Sequence, residues 1–269
     1  LRLGMHIMIR EGSQAKDLAA LLPLVQPETL DRFMLVTDDS HSGTLVEEGH
    51  VDRVVRHAIR HGAPPMTAIQ MATLNTAEHF GLGREIGQIA PGRYADVVVS
   101  SDLASLPVEL VVARGRIAAQ DGELRLEMPR FEYPEAARRS IHIPRDLAPA
   151  DFLVRAPRAG EVDVHVIGVV ENQAPTRRLR LPMSAVDGHL VCDPGRDLAK
   201  IAVIERHHSS GRVQVGFVQG FRLSEPCAIA STVAHDCHHM LVLGNSESDM
   251  AAAANQLHRI GGGQIVVSR

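Results

Sequence analysis

Three stretches of this sequence carry residue types and spacings suited to chemistry. Thr37-Asp38-Asp39 follows directly on the apolar run Phe33-Met34-Leu35-Val36. An ionised Asp is a hard oxygen ligand for a divalent cation and can carry a proton between reacting atoms. Asp38, at the end of a buried strand, stands where parallel α/β proteins gather their reactive groups; the alternative is that it caps the loop that follows. His235, Asp236, His238 and His239, with Cys237 among them, form the densest polar cluster. A loop would converge these groups for metal ligation, proton relay or ligand contact, whereas strand alternation would separate His235 and His239 from His238. A plain solvated loop is the competing reading. Glu205-Arg206-His207-His208 either joins that cluster or makes a surface turn.

Other constellations fail on spacing. His57 and His61 stand four apart, but Ala58 holds the place that H-E-x-x-H gives to Glu. Pro226-Cys227 lacks the second cysteine of P-C-x-x-C. No H-x-H pair, phosphate-binding G-x-x-x-x-G-K loop, G-x-S-x-G elbow or G-x-G-x-x-G fingerprint occurs.

The elements that must position these residues follow from periodicity and punctuation. A buried strand is predicted over 5–10, then a helix over 14–22 capped by Ser13 and stopped by Pro23. A second strand over 32–37 runs into Asp38. Helices over 51–61, with Val51, Val54, Val55, Ala58 and Ile59 on one face, and over 66–80, opened by Pro64-Pro65, complete a parallel α/β unit. Short strands over 87–89, 94–100, 108–113, 116–119 and 123–126 form a small β unit. The stretch 128–149, with Pro129, Pro134 and Pro144, reads as a linker. Beyond it, strands are predicted over 162–170, 200–205, 212–218, 228–230 and 240–243. A helix over 247–260, capped at Asn245-Ser246 and ended by Gly261-Gly262-Gly263, then leads to a strand over 264–267. That closing βαβ unit gives an α+β domain. No internal repeat is present.

Composition narrows the function class. The chain has 269 residues, 45% hydrophobic and 22% charged, enough for one large or two medium domains. Lys+Arg of 28 against Asp+Glu of 32 leaves a net charge of −4, without the basic excess of a nucleic-acid binder. No Trp, two Tyr and six Phe are too few for a base-stacking platform. The three cysteines fit a reducing compartment, and no apolar run reaches the ~20 residues of a membrane span. The first residue is Leu1, with no signal peptide, so the sequence reads as the C-terminal part of a longer cytoplasmic polypeptide.

One longer pattern adds to this reading. Ala72-Thr73-Leu74-Asn75-Thr76-Ala77-Glu78, then Phe80-Gly81-Leu82, then Gly87-Gln88-Ile89-Ala90-Pro91-Gly92-Arg93-Tyr94-Ala95-Asp96-Val97-Val98-Val99 resembles the amidohydrolase superfamily of metallo-dependent hydrolases. In that superfamily this passage leads from the last barrel helix into a small β-sandwich. Gly87 and Gly92 would serve turns, and Asp96 would bond backbone at the strand entry. Gly4–Ser13 is similar to the seventh-strand segment of adenine deaminases, and Thr37-Asp38-Asp39 with Glu47-Glu48-Gly49-His50 to their eighth-strand loop. Ile204-Glu205-Arg206-His207, Gly216-Phe217-Val218, Ala234-His235-Asp236-Cys237-His238 and Gly261-Gly262-Gly263 are similar to their C-terminal domain.

The resemblance implies an α/β fold: the C-terminal part of a TIM-type (β/α)8 barrel over 1–83, small β-sandwich strands over 84–128, a linker over 129–150, and the added α+β C-terminal domain over 151–269. It implies metal-dependent hydrolytic deamination of adenine to hypoxanthine and ammonia, a step of purine catabolism. Asp38 would be both metal ligand and proton carrier. Arg10, Glu11 and Ser13 are candidates for binding the purine, with a loop ion pair and a helix cap as their other roles. Glu205, His207, His235, Asp236 and His238 are the candidates from the C-terminal domain. The implied cofactor is a divalent metal, Mn or Fe in preference to Zn, with its other ligands N-terminal to this chain. Alone, the chain would then be inactive. Expected partners are the purine base, the N-terminal remainder of the polypeptide and further copies in a homo-oligomer, with no nucleic acid and no membrane. Two other readings stand beside this one: an amidohydrolase acting on a different cyclic amine or amide, and a non-catalytic partner-binding fragment.

Overall fold

The computed structural model describes residues 2–13, 15–171, 173–235 and 237–268. They fall into two compact units, residues 1–130 with 172–174, and residues 131–171 with 175–269.

In the first unit, β1 (Ile7–Arg10) is followed by a single helical turn, α1 (Leu18–Leu21), and then by β2 (Phe33–Val36). The two strands pair in parallel, with Arg10 opposite Val36. The helix predicted from 14 is much shorter because the chain between Glu11 and Asp17 folds back on itself instead. Gly12 N donates to Ala15 O at 3.0 Å and Asp17 N to Arg10 O at 2.9 Å. Ser13 therefore caps no helix. Helices α2 (Ser42–Glu47), α3 (Val51–Arg60), α4 (Pro65–Ala72) and α5 (Leu74–His79) follow. Val54, Val55 and Ala58 of α3 and Ala68 and Met71 of α4 pack with Ile9, Phe33 and Leu35 in one apolar core. Full burial of a side chain such as Phe33 contributes roughly 1.5–3 kcal/mol.

The helix predicted over 66–80 is broken at Thr73, whose φ of −126° and ψ of −84° are not helical. The kink lets Asn75 turn inward. Its Nδ2 donates to Leu30 O at 2.7 Å and Phe33 O at 2.9 Å, and its Oδ1 accepts from Gln70 at 3.2 Å. Gly87, predicted in a strand, lies in an irregular turn at φ 96°, where a Cβ would come within 2.7 Å of Ala77 Cβ. Beyond it, β3 (Val97–Val99), β4 (Leu110–Ala113), β5 (Arg116–Gln120) and β6 (Glu123–Leu124) form a four-stranded antiparallel sheet. Asp96 Oδ1 accepts from Arg114 N at 2.7 Å, tying the entry of β3 to the β4–β5 turn.

In the second unit the Pro-rich stretch is more than a connection. It carries a short helix, α6 (Glu135–Arg138), and it buries Ile143 and Leu147 in the main core of the unit. The strands are β7 (Val154–Arg155), β8 (Gly160–Gly168), β9 (Arg177–Val186), β10 (His189–Leu190), β11 (Leu198–Ile204), β12 (Val213–Gln219), β13 (Cys227–Ser231), β14 (Met240–Gly244) and, after helix α7 (Glu247–Ile260), β15 (Gln264–Ser268). They form one sheet in the order β15-β13-β14-β11-β12-β8-β9-β10-β7. β12 and β8 are parallel neighbours; the other neighbours are antiparallel. β13 thus lies between β14 and β15, and β14-α7-β15 is a split βαβ unit.

Helix α7 has clear local signals at both ends. Ser246 Oγ accepts from Asp249 N, and Gly261 takes the left-handed φ of 85° after the last turn. Its Ala251, Ala253, Ala254 and Leu257 lie against Ala228, Ala230, Val242 and Ala202 of the sheet. No helix among the described residues is long and apolar enough to cross a membrane.

Candidate active site

The parallel register of β1 and β2 places two loops side by side at the C-terminal ends of the strands. Asp38 lies in one of them, two residues beyond β2, with a left-handed φ of 61°. Only a few per cent of non-glycine residues adopt such a backbone, Asp and Asn more readily than most. Its side chain is 36% exposed, and Arg10 Nη1 lies 3.9 Å from its Oδ1. Arg10 is held in turn by Asp17, Nε to Oδ2 at 3.0 Å. That hydrogen bond and the nearby carboxylates raise the guanidinium pKa, so Arg10 is a permanent cation beside Asp38.

Glu11, one residue beyond β1, is 3% exposed. Its Oε1 lies 3.1 Å from His57 Nδ1 on α3, and its backbone oxygen accepts from Arg53 at 2.5 Å. Burial lowers the His57 pKa below its usual value, with the Glu11 carboxylate pulling the other way. Ser13 donates its hydroxyl to the Asp39 carboxylate, and its backbone N donates to Asp39 O at 2.9 Å. A cavity of about 430 Å³ opens alongside, with Glu11, Ser13, Lys16, Ser40, Arg53 and His57 in its wall. Arg10, Glu11, Ser13 and Asp38 are therefore grouped at one end of the β1–β2 pair. The partners Asp17, Asp39 and His57 were not anticipated as such. The only signal for Asp39 in the sequence is its place next to Asp38, and His57 lacks a zinc-protease motif.

The candidates in the second unit divide into a turn and ring pairs. Glu205 accepts from His207 N at 2.5 Å, His208 N at 2.8 Å, Ser210 N at 3.1 Å and Ser210 Oγ at 2.7 Å. The Ser210 hydroxyl is the leading cause that lowers its pKa to about 2, with the backbone donors adding to it against some desolvation. These bonds build the turn that follows β11 and commit the carboxylate to it. The rings of His207 and His239 lie 4.9 Å apart, and those of His235 and His238 5.5 Å apart. Asp236 lies outside the described residues. Arg206, 8% exposed, fastens the loop: Nε donates to His238 O at 2.7 Å and Nη1 to Ser140 O at 2.7 Å. Its role had no local signal, because its partners lie 32 and 66 residues away in sequence.

Residues 4–118 match the amidohydrolase family, and residues 173–269 match the adenine deaminase C-terminal domain. Adenine deaminase 3 of Rhizobium meliloti (strain 1021) is 50% identical over 270 residues, covering 100% of this chain and 45% of that protein. The adenine deaminase of Paracoccus denitrificans (strain Pd 1222) is 52% identical over 268 residues, covering 99% of this chain and 44% of that protein. Along its whole length the chain is similar to adenine deaminases. It spans a little under half the length of these curated relatives. A solved amidohydrolase from Thermotoga maritima MSB8 aligns with 44% of this chain and 38% of its own at 24% identity. Its TM-score of 0.28 is too low to bear on the fold.

The amidohydrolase family implies a divalent metal. Among the described residues, no three His, Cys, Asp or Glu side chains converge to hold one. Asp38 offers one carboxylate with a cation beside it, and a single carboxylate does not make a metal centre. These residues alone do not fit a complete site.

Proposed function

We propose that this chain is the C-terminal portion of an enzyme that hydrolyses adenine to hypoxanthine and ammonia, a step of cytoplasmic purine catabolism. The observation that carries this reading is the match to adenine deaminases along the whole chain, 50% identical over 270 residues in one case. In this reading residues 1–83 are the last strands and helices of a (β/α)8 barrel and 84–128 strands of a small β-sandwich. Residues 129–150 connect these to the family's C-terminal domain over 151–269. The N-terminal remainder of the polypeptide supplies the other metal ligands, the enzyme is a homo-oligomer, and the chain alone is inactive.

Asp38 is this chain's contribution to the reaction centre. Replacing the C6 amino group of adenine by oxygen requires a proton to leave the attacking water and another to reach the departing amine. A carboxylate at the mouth of the strands can take the first and deliver it to the second. A divalent metal, Mn or Fe in preference to Zn, would be held in part by Asp38 and would make water nucleophilic near neutral pH. Arg10 places its guanidinium 3.9 Å from Asp38 Oδ1 at the C-terminal ends of β1 and β2. Glu11 and His57 stand at the wall of the neighbouring cavity as candidates for orienting the purine. Glu205, His207, His235, Asp236 and His238 are retained as candidates from the C-terminal domain.

The test is turnover of adenine, guanine and hydantoin by the complete polypeptide, alongside Asp38→Asn. Adenine turnover that falls by about three orders of magnitude or more in the variant supports the reading. Turnover of another cyclic amine or amide in place of adenine would replace the substrate, and unchanged deamination by Asp38→Asn would remove Asp38 from the chemistry.

A further inference from the structure

The loops after β1 and β2 are bound to each other more closely than neighbouring strands require. The strand ladder ends with Glu11 N donating to Val36 O at 3.1 Å. Beyond it, Ser13 bonds Asp39 twice, through its backbone N at 2.9 Å and through its hydroxyl to the carboxylate. Gly12 sits in the crossing. A Cβ there would lie 2.9 Å from Asp39 O, 3.0 Å from Asp39 Oδ1 and 3.0 Å from Thr37 O. The residues on either side of Asp38 are thus pressed against the first loop, while Asp38 itself is in the left-handed region at φ 61°. A residue in that region keeps it only when its surroundings hold it there. On the open side, the Arg10 guanidinium lies 3.9 Å from Asp38 Oδ1 and is itself fixed by Asp17.

We infer that Ser13 and Asp39, closed over Gly12, form a clasp that sets the direction of the Asp38 carboxylate. This makes Ser13 a positioning residue for the reaction and not a contact to the purine. Its one hydroxyl proton is given to Asp39, so it has none to donate to a ring nitrogen of the substrate. Gly12 is required because any side chain would separate the two loops. The inference rests on the proposed role of Asp38 and deepens it.

The experiment is steady-state kinetics with adenine, and thermal unfolding, for the complete polypeptide carrying Ser13→Ala, Ser13→Thr, Asp39→Ala, the Ser13→Ala/Asp39→Ala pair, or Asp38→Asn. A misdirected carboxylate slows the chemical step, so Ser13→Ala is expected to lower kcat about 10- to 100-fold. KM should stay within about twofold, because substrate binding is not what is lost. The double variant should be no slower than the slower single one, since both changes open the same clasp. Ser13→Thr keeps the hydroxyl and should recover most of kcat, which a general loss of stability would not explain. If Ser13→Ala raises KM with kcat intact, Ser13 touches substrate and the clasp is wrong. Wild-type kcat and KM in Ser13→Ala, with Asp38→Asn inactive, overturns the clasp and leaves the role of Asp38 standing. Wild-type activity in Asp38→Asn removes the reading beneath both.

Discussion

The Lys200 ammonium, 1% exposed, lies 2.5 Å from Oε1 of Glu247, the first residue of α7. The pair joins β11 to the start of the helix. Burial pushes the Glu247 pKa up, but the hydrogen bond from Lys200, a backbone hydrogen bond at the helix start and the charges of Lys200 and His189 together hold it below its usual value. Glu247→Leu leaves the ammonium buried without its counter-charge and should destabilise the chain by about 3 kcal/mol. Adding Lys200→Met to that variant should restore most of the loss, because an apolar pair then fills the same space. Urea unfolding of the two singles and the double measures the coupling. Equal stability of wild type and Glu247→Leu would mean that the pair holds nothing together.

Asn75 anchors α5 beneath β2 through its two donated hydrogen bonds and the one it accepts. Asn75→Leu keeps the branching at Cγ but strips the Leu30 and Phe33 carbonyls of their donor. The expected cost is about 3 kcal/mol, since unsatisfied buried polar groups bear the full desolvation penalty. Chemical denaturation checks this. A loss below about 0.5 kcal/mol, the range of an ordinary surface change, would show that water replaces the amide.

Glu205 makes stability depend on acid in a defined window. Its pKa is lowered from 4.5 to about 2 in the folded chain by the Ser210 hydroxyl and backbone donors of its turn. The folded state binds this proton less readily than the unfolded chain, so the stabilisation is complete above pH 4.5 and lost as pH falls through about 2. Glu205→Gln should therefore unfold at a lower temperature than wild type at pH 7, by an amount that is constant down to about pH 5 and then shrinks. Thermal unfolding followed against pH tests this. A difference that widens with acid would contradict the assignment.

Much of the second unit was legible residue by residue. Apolar runs marked β11, β12, β13 and β14, and Ser246 with Gly261 marked the two ends of α7. β9 is absent from the sequence reading although Leu179, Leu181, Met183 and Ala185 alternate with Arg178, Arg180, Pro182 and Ser184 along it. The helix expected from 14 failed for a physical reason. The chain there is spent on hydrogen bonds to β1 and to the loop after β2, partners that no local pattern reveals.

By itself the sequence determined the bounds of β1, β2, α3, β11 to β15 and α7 to within a few residues, and that Asp38 follows a buried strand. These are properties of short windows: side-chain alternation, capping oxygens, glycines that tolerate a left-handed turn. Only the tertiary structure decided which groups hold which. Ser13 meets Asp39 across 26 residues, Asn75 reaches Leu30 and Phe33 across 45 and 42, and Lys200 meets Glu247 across 47. Those meetings depend on strand register and helix packing, which sum over the whole core. A hydroxyl in sequence is equally a cap, a ligand contact or a clasp, until the fold puts one acceptor within its reach.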